Sequence, residues 1–168
     1  MSVKPADLRV TTVDLKNGTI SQIWLDLLDR YARDPMGGGT GLSDFAKAHL
    51  VDRLAEMPGF HGALAWVGGQ PVGLINCFAG FSTFAARPLL NIHDIVVHAD
   101  WRGQGVGQAL LHWAERQAGQ LDCCKLTLEV LSNNAKAMAS YARAGYVPYE
   151  LDPKAGQALL LQKILREE

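Results

Sequence analysis

The chain of 168 residues lacks an excess of charge of one sign. Sixteen Lys and Arg residues stand against 17 Asp and Glu residues, so the formal net charge at pH 7 is -1. A chain with this balance has no strong electrostatic attraction to nucleic-acid backbones or to anionic lipid. We therefore expect neither nucleic acid nor a membrane among its partners.

Cysteine is scarce as well, with three residues, of which Cys123 and Cys124 are adjacent. An odd number of cysteines without C-x-x-C spacing favours neither a disulfide framework nor a metal site. No run of about 18 apolar residues occurs, and the first residues lack the apolar stretch of a secretory signal. These absences predict a cytoplasmic protein without a bound metal.

Hydrophobic residues make up 48% of the chain and charged residues 20%, as in an average globular protein. A chain of this length is expected to form one domain, covering residues 1–168. Apolar periodicities predict the element order β-α-α-β-β-β-α-β-α-β-β. This order indicates an α/β fold with a mixed, mostly antiparallel sheet and one β-α-β crossover. The last two strands are predicted at Tyr146–Tyr149 and Ala158–Ile164.

A glycine-rich loop joins a predicted strand to a predicted helix. It consists of Arg102, Gly103, Gln104, Gly105, Val106 and Gly107. Glycines allow several backbone N–H groups to converge, and the start of a helix adds a positive dipole end, so the loop could hold a pyrophosphate beside Arg102. Position 108 is Gln108, which breaks the dinucleotide-binding G-x-G-x-x-G pattern. The alternative is a tight strand-to-helix turn without a ligand.

A second motif lies on the last predicted helix. It comprises Asn134, Ala137, Tyr141 and Gly145, followed by Tyr146. The two motifs resemble the Q/R-x-x-G-x-G/A and N-x-x-A-x-x-x-Y-x-x-x-G-F patterns of the GNAT N-acetyltransferase superfamily, and they occur in the superfamily's order. Within it, the segment around His93-Asp94 is most similar to the diamine and polyamine acetyltransferase branch. That branch typically has Glu-Asp where this chain has His93-Asp94.

The resemblance implies a GNAT fold whose fourth and fifth strands splay apart to admit acetyl-CoA as co-substrate. The glycine-rich loop would hold the pyrophosphate, and the backbone of Ile95, Val96 and Val97 would pair with the pantetheine arm. Asn134 would hydrogen-bond the same arm, with Ala137 beside it. The competing interpretation makes Asn134 a first-turn residue of a helix capped by Ser132 or Asn133, and the two roles are compatible. Dimers are common in the superfamily, and a homodimer is compatible with the exposed edges of the predicted sheet.

Three side chains are candidates for the chemistry. The resemblance places Tyr141 where a phenol returns a proton to the leaving thiolate, although its spacing also fits a helix aromatic that packs onto the sheet. His93 could accept the proton of the attacking amine, or it could be a histidine on an exposed strand face. Asp94 could bind the positive charge of the substrate, or it could hold local structure. Successive strand residues face opposite sides, so His93 and Asp94 can share a cleft only if the strand bulges.

The function that we predict is acetyl-CoA-dependent N-acetylation of a small primary amine, such as a polyamine, an amino acid or an amine-bearing drug, by direct transfer in a ternary complex. Two alternatives stay open. A protein lysine or N-terminal acetyltransferase would have an open peptide groove beside the fourth strand. A non-catalytic acyl-CoA-binding module would keep the glycine-rich loop without depending on Tyr141.

Overall fold

The computed structural model describes residues 5–35, 38–149, 152, 154 and 158–165. Within these residues the chain forms five strands and four α-helices. They are β1 (Arg9–Thr12), α1 (Gly18–Ala32), α2 (Asp44–Ala55), β2 (Phe60–Val67), β3 (Gln70–Ser82), β4 (Arg87–Val97), α3 (Val106–Gln120), β5 (Leu126–Leu128) and α4 (Ala135–Arg143). A 3-10 turn, Ala99–Trp101, lies between β4 and α3.

The five strands form one sheet in the order β1-β2-β3-β4-β5. The strands from β1 to β4 pair antiparallel, whereas β4 and β5 pair in parallel. Parallel neighbours need a crossover connection, and α3 supplies it. The predicted α/β class, with a mostly antiparallel sheet and one crossover, is therefore confirmed.

Helices cover both faces of the sheet. On one face, Leu110 and Leu111 of α3 are fully buried with Ile75 of β3. On the other face, Trp24 of α1 is fully buried with Leu74 of β3. Burial of a large apolar side chain contributes about 1.5–3 kcal/mol, so these two cores hold α1 and α3 against opposite sides of one rigid sheet.

The helices begin in different ways. The side chain of Asn17 accepts hydrogen bonds from the amides of Thr19 and Ile20, and Ser43 caps α2 by accepting from Ala46. By contrast, α3 begins after Gly105 without a side-chain cap. The first amides of α3 therefore need partners from elsewhere. Among the described helices, none has the length and apolar character that a membrane crossing requires.

A β-bulge interrupts β4. Asn76 of β3 pairs with Asp94, but the next residue, Cys77, pairs with Ile92, so His93 is an extra residue. An extra residue reverses the alternation of side chains on one side of the bulge. Ile92 and Ile95 consequently both pack on the α3 face of the sheet, and Asp94 is directed at the α1 face.

The pairing of β4 with β5 is short. It covers only three residue pairs, from Leu90 opposite Leu126 to Ile92 opposite Leu128. Beyond Ile92, β4 continues to Val97, and among the described strands it pairs there with β3 alone. The predicted splay between the fourth and fifth strands is present here, and it leaves the last five residues of β4 with an open edge.

The predicted closing strands are wrong in the described part of the chain. Neither Tyr146–Tyr149 nor residues 158–165 form a strand. Several apolar side chains of these segments are exposed, namely Val147, Tyr149, Leu159, Leu160, Leu161, Ile164 and Leu165. Apolar patterning indicates a strand only where a neighbouring strand supplies hydrogen bonds. Most residues between these two segments lie outside the described part.

Candidate active site

The loop between β4 and α3 presents a run of unpartnered backbone amides. Gly103 and Gly105 have φ angles of +75° and +84°, a region that favours glycine. None of the six amides from Gly103 to Gln108 donates a hydrogen bond to a described residue. Free amides at the positive end of a helix dipole form a binding site for an anion such as a pyrophosphate. We call these six amides the amide cradle.

Gly107 in this cradle is not required by the packing of the protein. A Cβ atom added there would meet only Cγ2 of Val97, at 3.7 Å, which is an ordinary van der Waals distance. A Cβ added to Gly103 would meet nothing within 4 Å. The space in front of both glycines is therefore open to a ligand.

Arg102 joins the loop to the end of α1. Its Nε donates to the carbonyl oxygen of Val97 at 3.0 Å, and its Nη2 donates to Oδ2 of Asp34 at 2.9 Å. The resemblance places this guanidinium beside a pyrophosphate. Asp34 balances its charge in the structure, so an incoming pyrophosphate would compete with Asp34 for it.

The open edge of β4 offers backbone groups from alternate residues. The carbonyl of Val96 is directed at β3, because a Cβ added to Gly73 would lie 2.6 Å from its oxygen. In an extended strand, the groups of Ile95 and Val97 then point the opposite way, toward the gap beside β5. Of the three residues predicted to pair with the pantetheine arm, Ile95 and Val97 present their groups to the open side, and Val96 presents its carbonyl to β3.

Asn134 is itself the N-cap of α4. Its Oδ1 accepts a hydrogen bond from the amide of Ala137 at 3.2 Å, so neither Ser132 nor Asn133 takes that role. Its Nδ2 donates to no described residue. A cap that uses only the oxygen of the amide leaves a donor for the ligand contact that the resemblance implies.

Tyr141 of α4 is half-buried and packs against the α3-face core. Its ring centroid lies 6.0 Å from that of Tyr146. Burial raises the pKa of Tyr141, and the neighbouring phenol of Tyr31 raises it further. The phenol is therefore protonated at neutral pH, as a general acid must be before it acts.

Asp94 ends a chain of hydrogen bonds that runs along the α1 face of the sheet, from α1 over β3 to β4. Nε1 of Trp24 donates to Oδ1 of Asn76 at 2.8 Å, and Nδ2 of Asn76 donates to Oδ2 of Asp94 at 3.0 Å. Asn76 is 2% exposed and Trp24 is fully buried. The carboxylate is consequently held in one orientation. The sequence carried one signal for this chain, because Asn76 is the single polar side chain in the apolar run from Pro71 to Phe81.

Tyr31 is a site residue that the sequence analysis did not single out. Burial raises the pKa of Tyr31, and the carboxylates of Asp94 and Asp34 raise it further. Tyr31 also acts on the pKa of Tyr141. The C-terminal part of α1 thus contributes a phenol that interacts electrostatically with both the Asp94 carboxylate and the Tyr141 phenol. In the sequence Tyr31 shows only as one position of an amphipathic helix.

His93 is exposed on the bulge and its ring orientation is defined. The ring stacks edge-on against Phe78, with centroids 5.0 Å apart, and Nδ1 lies 2.8 Å from Oδ1 of Asn91. The amide nitrogen of Asn91 faces the carbonyl oxygen and Oγ1 of Thr127. Since Oδ1 of Asn91 only accepts, Nδ1 of His93 is the donor in this pair, and in a neutral imidazole the lone pair then lies on Nε2.

The bulge brings His93 and Asp94 to the same face of the sheet. Phe78, which the His93 ring contacts, is paired with Phe60 of β2, and Phe60 packs with Trp24 in the α1-face core. Asp94 lies on the same face, where its carboxylate accepts a hydrogen bond from Asn76. The condition for both side chains to serve one cleft is therefore met.

Comparison with known proteins defines the family. The profile of the acetyltransferase (GNAT) family matches residues 24–146, so the chain belongs to this family. An aminoalkylphosphonate N-acetyltransferase from Salmonella typhimurium is 37% identical over 102 residues, which are 59% of this chain and 61% of that protein. A thialysine N-epsilon-acetyltransferase from Sus scrofa is 31% identical over 118 residues, covering 62% of this chain and 68% of that protein.

Solved structures share the fold. An aminoglycoside acetyltransferase from an uncultured soil metagenomic sample superimposes with a TM-score of 0.75 at 16% identity, covering 95% of this chain and 97% of that one. An aminoglycoside N-acetyltransferase in complex with CoA gives 0.72 at 14% identity, covering 93% and 94%. Among the curated relatives, the chain spans less than two thirds of the length of the Salmonella protein.

Proposed function

We propose that the protein is an acetyl-CoA-dependent N-acetyltransferase that transfers an acetyl group directly to a small primary amine. The amide cradle is the observation that carries this proposal. It lies at the end of β4, whose open edge runs back from the cradle to Asp94 and His93 on the bulge. One continuous strand edge thus connects the proposed pyrophosphate site to two side chains that can bind an ammonium group and accept its proton.

The residues present fit acetyl-CoA. The amide cradle would bind the pyrophosphate. The backbone groups of Ile95 and the N–H of Val97 would pair with the pantetheine arm as an added strand does, while the carbonyl of Val97 accepts from Arg102. Nδ2 of Asn134 would donate a further hydrogen bond to that arm. When bound, acetyl-CoA supplies an acetyl thioester whose carbonyl carbon is the electrophile.

The chemistry requires two proton transfers. An alkylamine of pKa about 10.4 is mostly protonated at neutral pH, so it must lose a proton before or during its attack. Nε2 of His93 has the free lone pair to accept this proton, directly or through a water molecule. Tyr141, protonated at neutral pH, donates its proton to the departing thiolate. The new N–C bond forms as the S–C bond breaks, with no acetyl group on the protein.

We propose a small amine as the acceptor on two grounds, which are the negative charge of Asp94 and the names of two relatives. The carboxylate of Asp94 is held at the cleft by Asn76 and can bind an ammonium group. Two relatives, at 37% and 31% identity, are named for small amines, an aminoalkylphosphonate and thialysine. A ribosomal-protein-alanine N-acetyltransferase from Brucella melitensis shares the fold at 18% identity, so protein acetylation is the second candidate.

The test is release of thiol from acetyl-CoA with an aminoalkylphosphonate, thialysine, spermidine, an aminoglycoside and a lysine-containing peptide. We expect the highest kcat/KM with one of the four small amines. Preference for the peptide would transfer the assignment to protein acetylation. No release with any amine, while calorimetry shows that acetyl-CoA binds, would favour the acyl-CoA-binding module.

A base at His93 can be tested by chemical rescue. Replacement of His93 by Ala should lower kcat about 100-fold, the usual weight of a general base. Because the His93 ring is exposed, free imidazole added to the buffer should enter the vacated space and restore part of the rate. His49→Ala, at another exposed histidine, is the matched control and should keep full activity. A His93→Ala variant with unchanged kcat would remove the histidine from the mechanism.

The proposed role of Asp94 in acceptor binding predicts a selective effect on the amine. Asp94→Asn removes the negative charge and keeps an oxygen that can accept from Asn76. An ion pair in a half-buried site is worth a few kcal/mol, so the KM for the amine should rise at least tenfold. The affinity for acetyl-CoA should stay the same. An equal rise with Asp100→Asn, on the 3-10 turn, would show that the loss is only one of overall charge.

A further inference from the structure

The side chain of Gln108 bridges α3 and α4. Its Nε2 donates to the carbonyl oxygen of Ser140 at 2.9 Å and to Oγ of Ser140 at 3.0 Å. Gln108 and Ser140 are both half-buried, so water competes less for these bonds than it would at an exposed site. Ser140 directly precedes Tyr141 in the chain.

This bridge matters because α4 has few other attachments. No residue of α4 is fully buried. In the described residues, no other hydrogen bond or ion pair joins α4 to a different helix or strand. Apolar contacts of Tyr141 with the α3-face core supply the remaining attachment. A helix held by so few contacts would shift or open easily without this hydrogen-bonded bridge.

We propose that Gln108 is a positioning residue for the general acid, because its side-chain amide fixes the rotation and distance of α4 at the residue before Tyr141. The inference rests on the proposed role of Tyr141. It also assigns a function to the position where a dinucleotide-binding loop would have its third glycine. The backbone amide of Gln108 belongs to the amide cradle, so this one residue connects the proposed cofactor site to the helix that carries the phenol.

The bridge between Gln108 and Ser140 can be tested without any substrate. Gln108→Leu keeps a side chain of similar size and removes both hydrogen bonds. Amide hydrogen exchange in α4 should become about tenfold faster, and exchange in the C-terminal half of α3 should not change. Gln117→Leu is the matched control, because the amide of Gln117 donates to Gln120 within α3 and its loss should leave α4 protected. Unchanged exchange in α4 of Gln108→Leu would overturn the proposal.

Kinetic measurements test whether the bridge acts on the reaction through Tyr141. With the fastest amine of the panel, Gln108→Leu should lower kcat about tenfold and leave the KM for acetyl-CoA unchanged. Ser140→Ala, which keeps the carbonyl acceptor, should have a smaller effect. In a Tyr141→Phe background, Gln108→Leu should cause no further loss, since the group that it positions is already absent.

The outcomes distinguish the positioning role of Gln108 from the acid role of Tyr141. If Tyr141→Phe lowers kcat and Gln108→Leu does not, the positioning role is wrong while the role of Tyr141 stands. If Gln108→Leu lowers kcat by the same factor with and without the phenol, Gln108 acts on something other than Tyr141, and the inference fails. If Tyr141→Phe leaves kcat unchanged, the proposed acid itself is refuted.

Discussion

Replacement of Tyr141 by Phe should lower kcat about 100-fold or more while the affinity for acetyl-CoA is retained. The substitution removes the transferable proton and keeps the ring that packs against the α3-face core, and acid catalysis usually contributes 10²–10⁴ in rate. Steady-state kinetics with the fastest panel amine and calorimetry with acetyl-CoA measure the two quantities. Equal losses in kcat and in acetyl-CoA affinity would indicate damage to the fold instead.

Tyr146→Phe is the matched control for this experiment. The two rings are 6.0 Å apart, and the Tyr146 hydroxyl is buried without a partner among the described residues. Its removal should not slow the reaction. A loss as large as that of Tyr141→Phe would mean that the wrong phenol has been assigned.

The raised pKa of Tyr141 adds a prediction on pH with a defined sign. A general acid is active in its protonated form, so raising its pKa extends the active range to higher pH. Loss of the Tyr141 proton should therefore lower kcat only above the usual pKa of tyrosine, about 10. A decline of kcat in the range of pH 7 to 9 that disappears in Tyr141→Phe would contradict the pKa shift.

The second large effect is expected from Gly107→Val, which should weaken acetyl-CoA binding at least tenfold without unfolding the protein. A Cβ at this position has only Val97 nearby, at 3.7 Å, so the fold accommodates it. A branched side chain would instead occupy the space before the amide cradle and keep the pyrophosphate from the backbone. Calorimetric titration with acetyl-CoA measures the loss, and thermal unfolding reports on the fold.

Gly119→Val provides the control on the same helix. A Cβ added at Gly119 meets nothing within 4 Å, so the fold accommodates it as well. The residue lies near the C-terminal end of α3, far along the helix from the cradle. The cost in helix propensity is similar at the two positions. If Gly119→Val weakens acetyl-CoA binding as much as Gly107→Val does, the amide cradle is not the cofactor site.

The parts of the site that depend on local spacing were predictable from the sequence. Alternate glycines between a strand and a helix indicated the loop, and no described residue accepts a hydrogen bond from its amides. The helix that carries Ala137 and Tyr141 was expected from residues close together in the chain, although its cap is Asn134 itself. The splay of β4 and β5, in contrast, was implied only by the resemblance, and the pairing of the two strands shows it.

The remaining parts depend on contacts between distant segments. Trp24 reaches Asn76 across 52 positions, and Arg102 reaches Asp34 across 68. No local pattern encodes such pairs. The bulge at His93 is set by how β4 aligns with β3, so alternation alone could not decide whether His93 and Asp94 share a face. The closing strands failed for a related reason, because apolar patterning does not supply a pairing partner.

The central claim is direct transfer of an acetyl group from acetyl-CoA to an amine. It is tested most directly by incubating the protein with acetyl-CoA labelled in the acetyl group, with and without the fastest amine of the panel, and by measuring the masses of protein and amine. The account predicts labelled amine and an intact protein of unchanged mass in both samples. Labelled protein in the absence of amine, or bound acetyl-CoA with no labelled amine, would contradict it.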